Sequence, residues 1–136
     1  MKERTYPIFL AGEFRATADP LSVINPFHGS ELALTYRAGV PELEEAIEKG
    51  LKAKEALIDL PSGKRYLILS EIAGAMQEAR QEMAEIITME SGKPIRYALG
   101  EADRAIQTFI VAAEESKRLP AGHIDLEWTP AGEGKT

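Results

Sequence analysis

The side chains that could do chemistry in this 136-residue chain are few and scattered. The chain has no cysteine, which removes cysteine nucleophiles, thiolate metal sites and disulfides together. Its two histidines, His28 and His123, stand far apart and lack the paired spacing of a metal site. Its only asparagine is Asn25, and neither a Gly-x-Ser-x-Gly nor a Gly-x-Gly-x-x-Gly motif is present. We therefore predict that this segment contains no catalytic and no cofactor-binding residue.

The last three residues, Gly134-Lys135-Thr136, have the letters that end a phosphate-binding P-loop. That loop also needs a glycine five residues before Gly134, where this chain has Thr129, and a following helix whose amides hold the phosphate. A polar surface turn is the better interpretation of this stretch.

Charge and hydropathy exclude two classes of partner. The net charge is −6 and the pI is about 5.0, so the basic surface that nucleic acids require is missing. No apolar run approaches the roughly 20 residues of a membrane span, and the charged N-terminus lacks the apolar core of a signal peptide. The sequence predicts no nucleic-acid or membrane partner and a cytoplasmic location. The acids Glu42, Glu44, Glu45 and Glu48 are interpreted as a solvated helix face.

The predicted secondary structure that would position any site changes from strands to helices after the first forty residues. The early part predicts short strands around Tyr6–Leu10, Leu21–Ile24 and Glu31–Tyr36. A tight turn is expected at Ala11-Gly12-Glu13, because glycine accepts positive φ, and another at Asn25-Pro26 with Gly29.

The rest of the chain predicts helices separated by proline and glycine. Pro41 fits a first helical position, and Pro61 ends that segment with Ser62 as the N-cap of the next. Apolar faces continue to Gly92, a helix stop, and Pro94 opens a last helix that runs to about Leu119. A final strand is expected over 124–128.

Six stretches follow one another in an order and spacing that extend across nearly the whole chain: 9–14, 23–29, 43–54, 60–65, 88–94 and the helix that starts at Gly100-Glu101. The most specific are Asn25-Pro26 with Gly29, and Gly92-Lys93-Pro94. Together they resemble the N-terminal portion of the aldehyde dehydrogenase superfamily. Each also has a structural explanation as a rigid turn or a compact helix-to-helix joint.

The resemblance implies an α/β fold in which this helix-rich segment supplies N-terminal strands and outer helices of a cofactor-binding domain. Residues 1–122 would form that N-terminal part, and residues 123–136 would begin an oligomerisation hairpin. The central nucleotide-binding sheet would come later in the chain.

The resemblance also implies the activity of the full-length protein, which would be an NAD(P)-dependent oxidation of an aldehyde to a carboxylic acid. In that family a cysteine attacks the aldehyde, hydride passes to NAD or NADP, a glutamate helps to activate water, and an asparagine amide helps to hold the oxyanion. No position here matches the cysteine or that asparagine. The segment is therefore predicted to be a non-catalytic fragment that binds no cofactor alone. Its implied partners are the remainder of its own chain, the aldehyde substrate and further copies in a homo-oligomer.

One site of the family is partly present. Many members bind a monovalent cation through backbone carbonyls just before the Asn-Pro turn and through the acid of the Glu-x-Gly-Lys-Pro motif. The matching positions are Val23, Ile24 and Glu90, and oxygen ligands suit a hard cation. A helix-end surface acid is the simpler interpretation of Glu90.

Two alternatives remain open at the level of sequence. In the first alternative, the chain is a non-enzymatic, helix-rich interaction module. In the second, it is a pseudo-enzyme remnant that docks on a full-length relative.

Overall fold

The first elements of the computed structural model, which describes residues 4–118, are two antiparallel strand pairs. Strand β1 (Ile8–Leu10) pairs with β2 (Glu13–Arg15), and β3 (Pro20–Ile24) pairs with β4 (Glu31–Tyr36). The sequence predicts β1, β3, β4 and the turn that closes each pair, but it does not predict a strand at β2.

The β1–β2 turn shows why this sequence forms a tight hairpin. Ala11 has a φ of 53° and Gly12 a φ of 91°, so both central residues are left-handed. This backbone is favoured in two-residue hairpins because it matches the twist of the paired strands. The predicted turn is confirmed. Glycine adopts this conformation without strain, whereas Ala11 is held there by the strand pairing on both sides.

Within the described residues, four helices follow: α1 (Val40–Ile58), α2 (Ser62–Glu78), α3 (Arg80–Ser91) and α4 (Ile95–Ser116). Gly92 has a φ of 70° and ends α3, and Pro94 is the N-cap of α4, as the sequence predicts. Helix α4 ends at Ser116, before the predicted Leu119, and a break at Ala79 separates α2 from α3 where the apolar pattern gave no sign of one.

The prediction that Ser62 caps α2 is wrong. Pro61 occupies the N-cap position, and Ser62 is the first helical residue. Ser62 is 1% exposed, and its Oγ has no hydrogen-bond partner among the described residues. Proline takes the cap because its fixed φ suits the extended residue before the first turn, here with a φ of −55° and a ψ of 144°.

The described residues fall into two compact units. One comprises residues 4–58 with 87–93, and the other comprises 59–86 with 94–118. The core of the second unit lies where α2 packs against α4, and it is built mainly of alanines that let the two helices approach closely. Its buried apolar residues are Ala73, Ala84, Ala98, Ala102, Ile106 and Ala113.

Several predictions fall on residues 119–136, which lie outside the described residues. They are the strand over 124–128, the hairpin assigned to 123–136, His123 and the Gly134-Lys135-Thr136 turn. The described part, 4–118, contains no helix long and apolar enough to cross a membrane.

Candidate functional site

The Asn25 side chain organises the turn between β3 and β4. Its Oδ1 accepts hydrogen bonds from the backbone amides of Phe27 at 2.9 Å and His28 at 3.1 Å. The backbone closes the same loop, because Gly29 N donates to Asn25 O at 2.8 Å and Asn25 N donates to Ser30 O at 2.9 Å. The only asparagine of the chain is therefore a turn-forming residue, as predicted.

Gly92 and Pro26, one from each of the two most specific motifs, lie against each other within the first unit. A Cβ added at Gly92 would sit 3.3 Å from Cγ of Pro26, so the helix joint and the Asn-Pro turn are in close contact. The Gly92 amide donates to Thr88 O at 3.0 Å, which closes the end of α3. Glycine is required here both by its positive φ and by this approach.

The three residues predicted to bind a cation all belong to this unit. Val23 and Ile24 lie at the end of β3, where the pairing with β4 is irregular between Val23 and Ile24. The extra residue lies on β4, because Val23 pairs with Ala33 and Ile24 pairs with Glu31, so the register skips Leu32. Glu90 lies in the last turn of α3, two residues before Gly92, and it is exposed. Cation binding by these residues stays a prediction.

Residues 4–118 contain no group of three or more histidine, aspartate or glutamate side chains that is placed to hold a metal ion. His28 is exposed and stacks edge-on against Phe27 with ring centroids 4.8 Å apart. His28 is therefore a surface residue.

Ion pairs fix helices α1 and α4 to their neighbours. Arg15 of β2 donates two hydrogen bonds to the Glu45 carboxylate of α1, at 2.7 and 3.0 Å. These bonds, the nearby Arg15 charge and Lys49 lower the pKa of Glu45. Arg80 forms a similar two-bond pair with Asp103, with Nη2 to Oδ2 at 2.8 Å, and this pairing lowers the pKa of Asp103.

The sequence-based view of the α1 acids as a solvated face is wrong for two of them. Besides Glu45, Glu42 has a structural role, because its Oε2 accepts a hydrogen bond from Gly39 N at 2.7 Å and caps the start of α1. The cap was detectable as a glutamate three residues after Gly39. The Glu45 partner, thirty residues earlier in the chain, left no local signal.

The Glu45 pair predicts how stability changes with pH. Folding lowers the pKa of the Glu45 carboxyl below its value in the unfolded chain, 4.5. The charged carboxylate therefore stabilises the folded state above pH 4.5, and this stabilisation is lost as the pH falls through the pKa of the folded state. We expect Glu45→Gln to melt at a lower temperature than the parent chain at neutral pH, and the difference to shrink below about pH 4.5. Thermal melts followed by circular dichroism test this.

The matched control for that prediction is Glu44→Gln on the same helix. It removes an equal charge and leaves the Arg15–Glu45 pair intact, so its difference from the parent should stay small and nearly constant with pH. Parallel melting curves for the parent and Glu45→Gln from neutral to acidic pH would contradict the assignment.

Comparison with known proteins agrees with these motifs. The family model described as the aldehyde dehydrogenase family matches residues 14–133. The 3-sulfolactaldehyde dehydrogenase of Priestia megaterium is 31% identical over 133 residues, which is 97% of this chain and 27% of that protein. The chain therefore spans about a quarter of the length of this relative.

Solved structures show the same relationship in three dimensions. Aldehyde dehydrogenase 21 from Physcomitrella patens, in complex with the reaction product succinate, has a TM-score of 0.84 and 32% identity, covering 98% of this chain and 28% of that one. The 1-pyrroline-5-carboxylate dehydrogenase from Thermus with bound NAD has a TM-score of 0.82 and 27% identity, covering 88% of this chain and 25% of that one. The described elements are thus an α/β, helix-rich portion of this fold. With a family match over most of its length, the chain belongs to the aldehyde dehydrogenase family, of which it represents the N-terminal portion.

Proposed function

We propose that this chain is the N-terminal segment of an NAD(P)-dependent aldehyde dehydrogenase that oxidises an aldehyde to a carboxylic acid, and that the segment itself is not catalytic. The observation that carries the proposal is that nearly the whole chain aligns with about a quarter of its relatives, while containing no cysteine. A thiol nucleophile must therefore come from other residues of the polypeptide.

The segment's role in this proposal is to provide scaffold. Its strands and helices position the Asn-Pro turn and the Gly-Lys-Pro joint, and its one asparagine is used within its own turn. NAD or NADP would bind to the full-length protein and not to this segment alone. The NAD seen in the Thermus relative supports the choice of cofactor class.

The proposal extends to location, assembly and organisation. We place the protein in the cytoplasm as a homo-oligomer whose partners are the rest of its own chain and an aldehyde. Residues 1–122 would belong to the cofactor-binding domain, and 123–136 would begin the oligomerisation hairpin. The acidic composition, with a net charge of −6, supports the absence of a nucleic-acid partner.

The coding sequence beyond the Thr136 codon distinguishes this proposal from the two alternative functions. We expect it to encode a cysteine within a later strand-and-helix region. A stop codon directly after Thr136, in the natural gene, would instead favour a helix-rich interaction module or a pseudo-enzyme remnant.

We further propose that the Val23 and Ile24 carbonyls and the Glu90 carboxylate contribute to a monovalent cation site in the full-length protein. The residues fit a hard cation, because all the donors are oxygens. The contact of Gly92 with Pro26 supports the proposal, since it joins the two motifs that carry the donors.

This site predicts an effect of Glu90→Ala on the full-length protein. We expect the parent to melt at a higher temperature in potassium or sodium chloride than in the chloride of a bulky organic cation at equal ionic strength. Glu90→Ala should lose most of that difference, because an anionic ligand is removed. Glu85→Ala, an exposed acid earlier on α3, is the control. An unchanged salt-specific difference in Glu90→Ala would refute the assignment.

A further inference from the structure

Residues 4–6, here named the strap, extend along β4 as a short third strand. Thr5 pairs with Leu34 in parallel orientation. The Tyr6 amide donates to Leu34 O at 2.8 Å, and the Leu34 amide donates to Arg4 O at 2.9 Å. Leu34 thus donates and accepts along the same edge of β4, which is the hydrogen-bond pattern of parallel strands.

The strap pairs with the edge of β4 that faces away from β3. Leu34 lies opposite Ser22 in the register of β3 and β4. Its backbone amide and carbonyl both bond to the strap, so these groups point away from Ser22. At this position β4 is therefore the middle strand of three. The strap satisfies two backbone groups of β4 that the pairing with β3 cannot satisfy.

A side-chain hydrogen bond anchors the end of the strap. The Thr35 hydroxyl donates to Tyr6 O at 2.9 Å, so Tyr6 is bonded to β4 through both its amide and its carbonyl. Ile8, two residues later, already pairs with Arg15 of β2. Among the described residues, the strap is attached to β4 by these three hydrogen bonds, and a substitution of Thr35 can remove one of them without changing the backbone.

The hairpin of β3 and β4 has a weak point close to its turn. The register skips Leu32, which lies between the turn at residues 25–29 and Leu34. A bulge of this kind disrupts the hydrogen-bond ladder locally. A two-stranded hairpin is marginally stable by itself, and a third strand stabilises it. Because the strap adds that strand two residues beyond the skipped position, it supports the turn through β4.

We propose that the strap is a clamp through which the N-terminal residues control the opening of the β3–β4 hairpin and of its Asn-Pro turn. While the strap is paired, β4 can separate only if the hydrogen bonds on both of its sides break. Without the strap β4 keeps only β3, and local opening of the turn becomes more frequent. Pro26 of this turn approaches Gly92, so the clamp also supports that contact. The device belongs to the fold of this segment and does not depend on the proposed reaction.

The test is hydrogen exchange of the full-length protein, followed by mass spectrometry of a peptide that covers residues 21–36. Thr35→Val removes the hydroxyl that bonds to Tyr6 O and keeps a β-branched side chain. Thr5→Val is the matched control, because it makes the same change on the strap at an exposed hydroxyl that has no hydrogen bond among the described residues.

A pair of deletions removes or keeps the whole strap in the same full-length protein. Deletion of residues 2–6 removes the strap, whereas deletion of residues 2 and 3 shortens the N-terminus and keeps it. A peptide from α2 is followed in every variant, because α2 belongs to the other compact unit and reports on the general stability of the segment.

We expect the peptide over 21–36 to exchange on the order of ten-fold faster without the strap, and roughly three-fold faster in Thr35→Val, which loses one hydrogen bond. Both controls should stay within about two-fold of the parent, and so should the α2 peptide in every variant. Unchanged exchange over 21–36 after removal of the strap would overturn the proposal. An equal rise in the α2 peptide would overturn it as well, since the strap would then stabilise the whole segment and not the turn.

Discussion

The isolated 136-residue chain should form no NADH or NADPH from any aldehyde above the rate seen without protein. Oxidation by the proposed route requires a thiolate to attack the carbonyl and positioned donors to hold the oxyanion. The chain has no cysteine, and its only asparagine is committed to the turn through hydrogen bonds from Phe27 N and His28 N. Absorbance of the reduced nicotinamide over a panel of aldehydes, with NAD and NADP in turn, measures this directly.

The positive control is the intact Physcomitrella enzyme assayed under the same conditions with succinic semialdehyde, the aldehyde whose oxidation gives the succinate bound in its structure. A rate with the chain alone that is saturable in aldehyde and proportional to protein concentration would contradict the prediction. Such a rate would mean that groups other than a thiol carry the reaction, and the assignment of this segment as a scaffold would fall.

The largest effect on stability is expected at Ile106. Among the described residues of its unit, the other buried apolar side chains are all alanines, so Ile106, 4% exposed, is the one large side chain in that core. Ile106→Ala removes most of its buried surface and leaves a cavity beside alanines that cannot fill it. We expect a loss of about 2–5 kcal/mol in the free energy of unfolding. Urea unfolding followed by far-ultraviolet circular dichroism measures it.

Ile110→Ala is the matched control, because it makes the same chemical change one turn later on α4 at a side chain that is 42% exposed. It should cost less than about 1 kcal/mol. Equal losses for the two variants would show that Ile106 does not fill the core between α2 and α4.

Local backbone chemistry explains why much of the fold was predictable. The Ala11-Gly12 turn, the helix stop at Gly92 and the helix start after Pro94 each depend on φ preferences that a few neighbouring residues set. The strands follow from apolar residues between such turns. A single residue type was decisive at each of these points, so no knowledge of distant contacts was needed.

Features that depend on distant partners were not predictable. The Arg15–Glu45 pair joins residues thirty positions apart, and nothing near either residue indicates the other. The break at Ala79 likewise escaped, because the residues around it favour helix and only packing decides where the chain bends. Ser62 shows a related limit, since serine and proline both suit a helix start and the structure selects proline.

The candidate site was predictable in its parts and not in its arrangement. The sequence identified the Asn-Pro turn and the Gly-Lys-Pro joint, and the resemblance selected Val23, Ile24 and Glu90 from them. Only the structure shows that Gly92 approaches Pro26. The prediction that this segment supplies no cysteine nucleophile needs no geometry, because it follows from residue counts alone.

The proposed scaffold role requires that the reactive groups come from later residues of the polypeptide. The most direct measurement is the reduction of NAD or NADP by a hybrid in which this chain replaces the matching segment of Physcomitrella aldehyde dehydrogenase 21, with succinic semialdehyde as substrate. The proposed scaffold role predicts aldehyde-dependent reduction that disappears when the cysteine expected to attack the aldehyde, in the Physcomitrella part, is changed to alanine. A hybrid that melts cooperatively, as a folded protein does, and yet forms no reduced nicotinamide would contradict it.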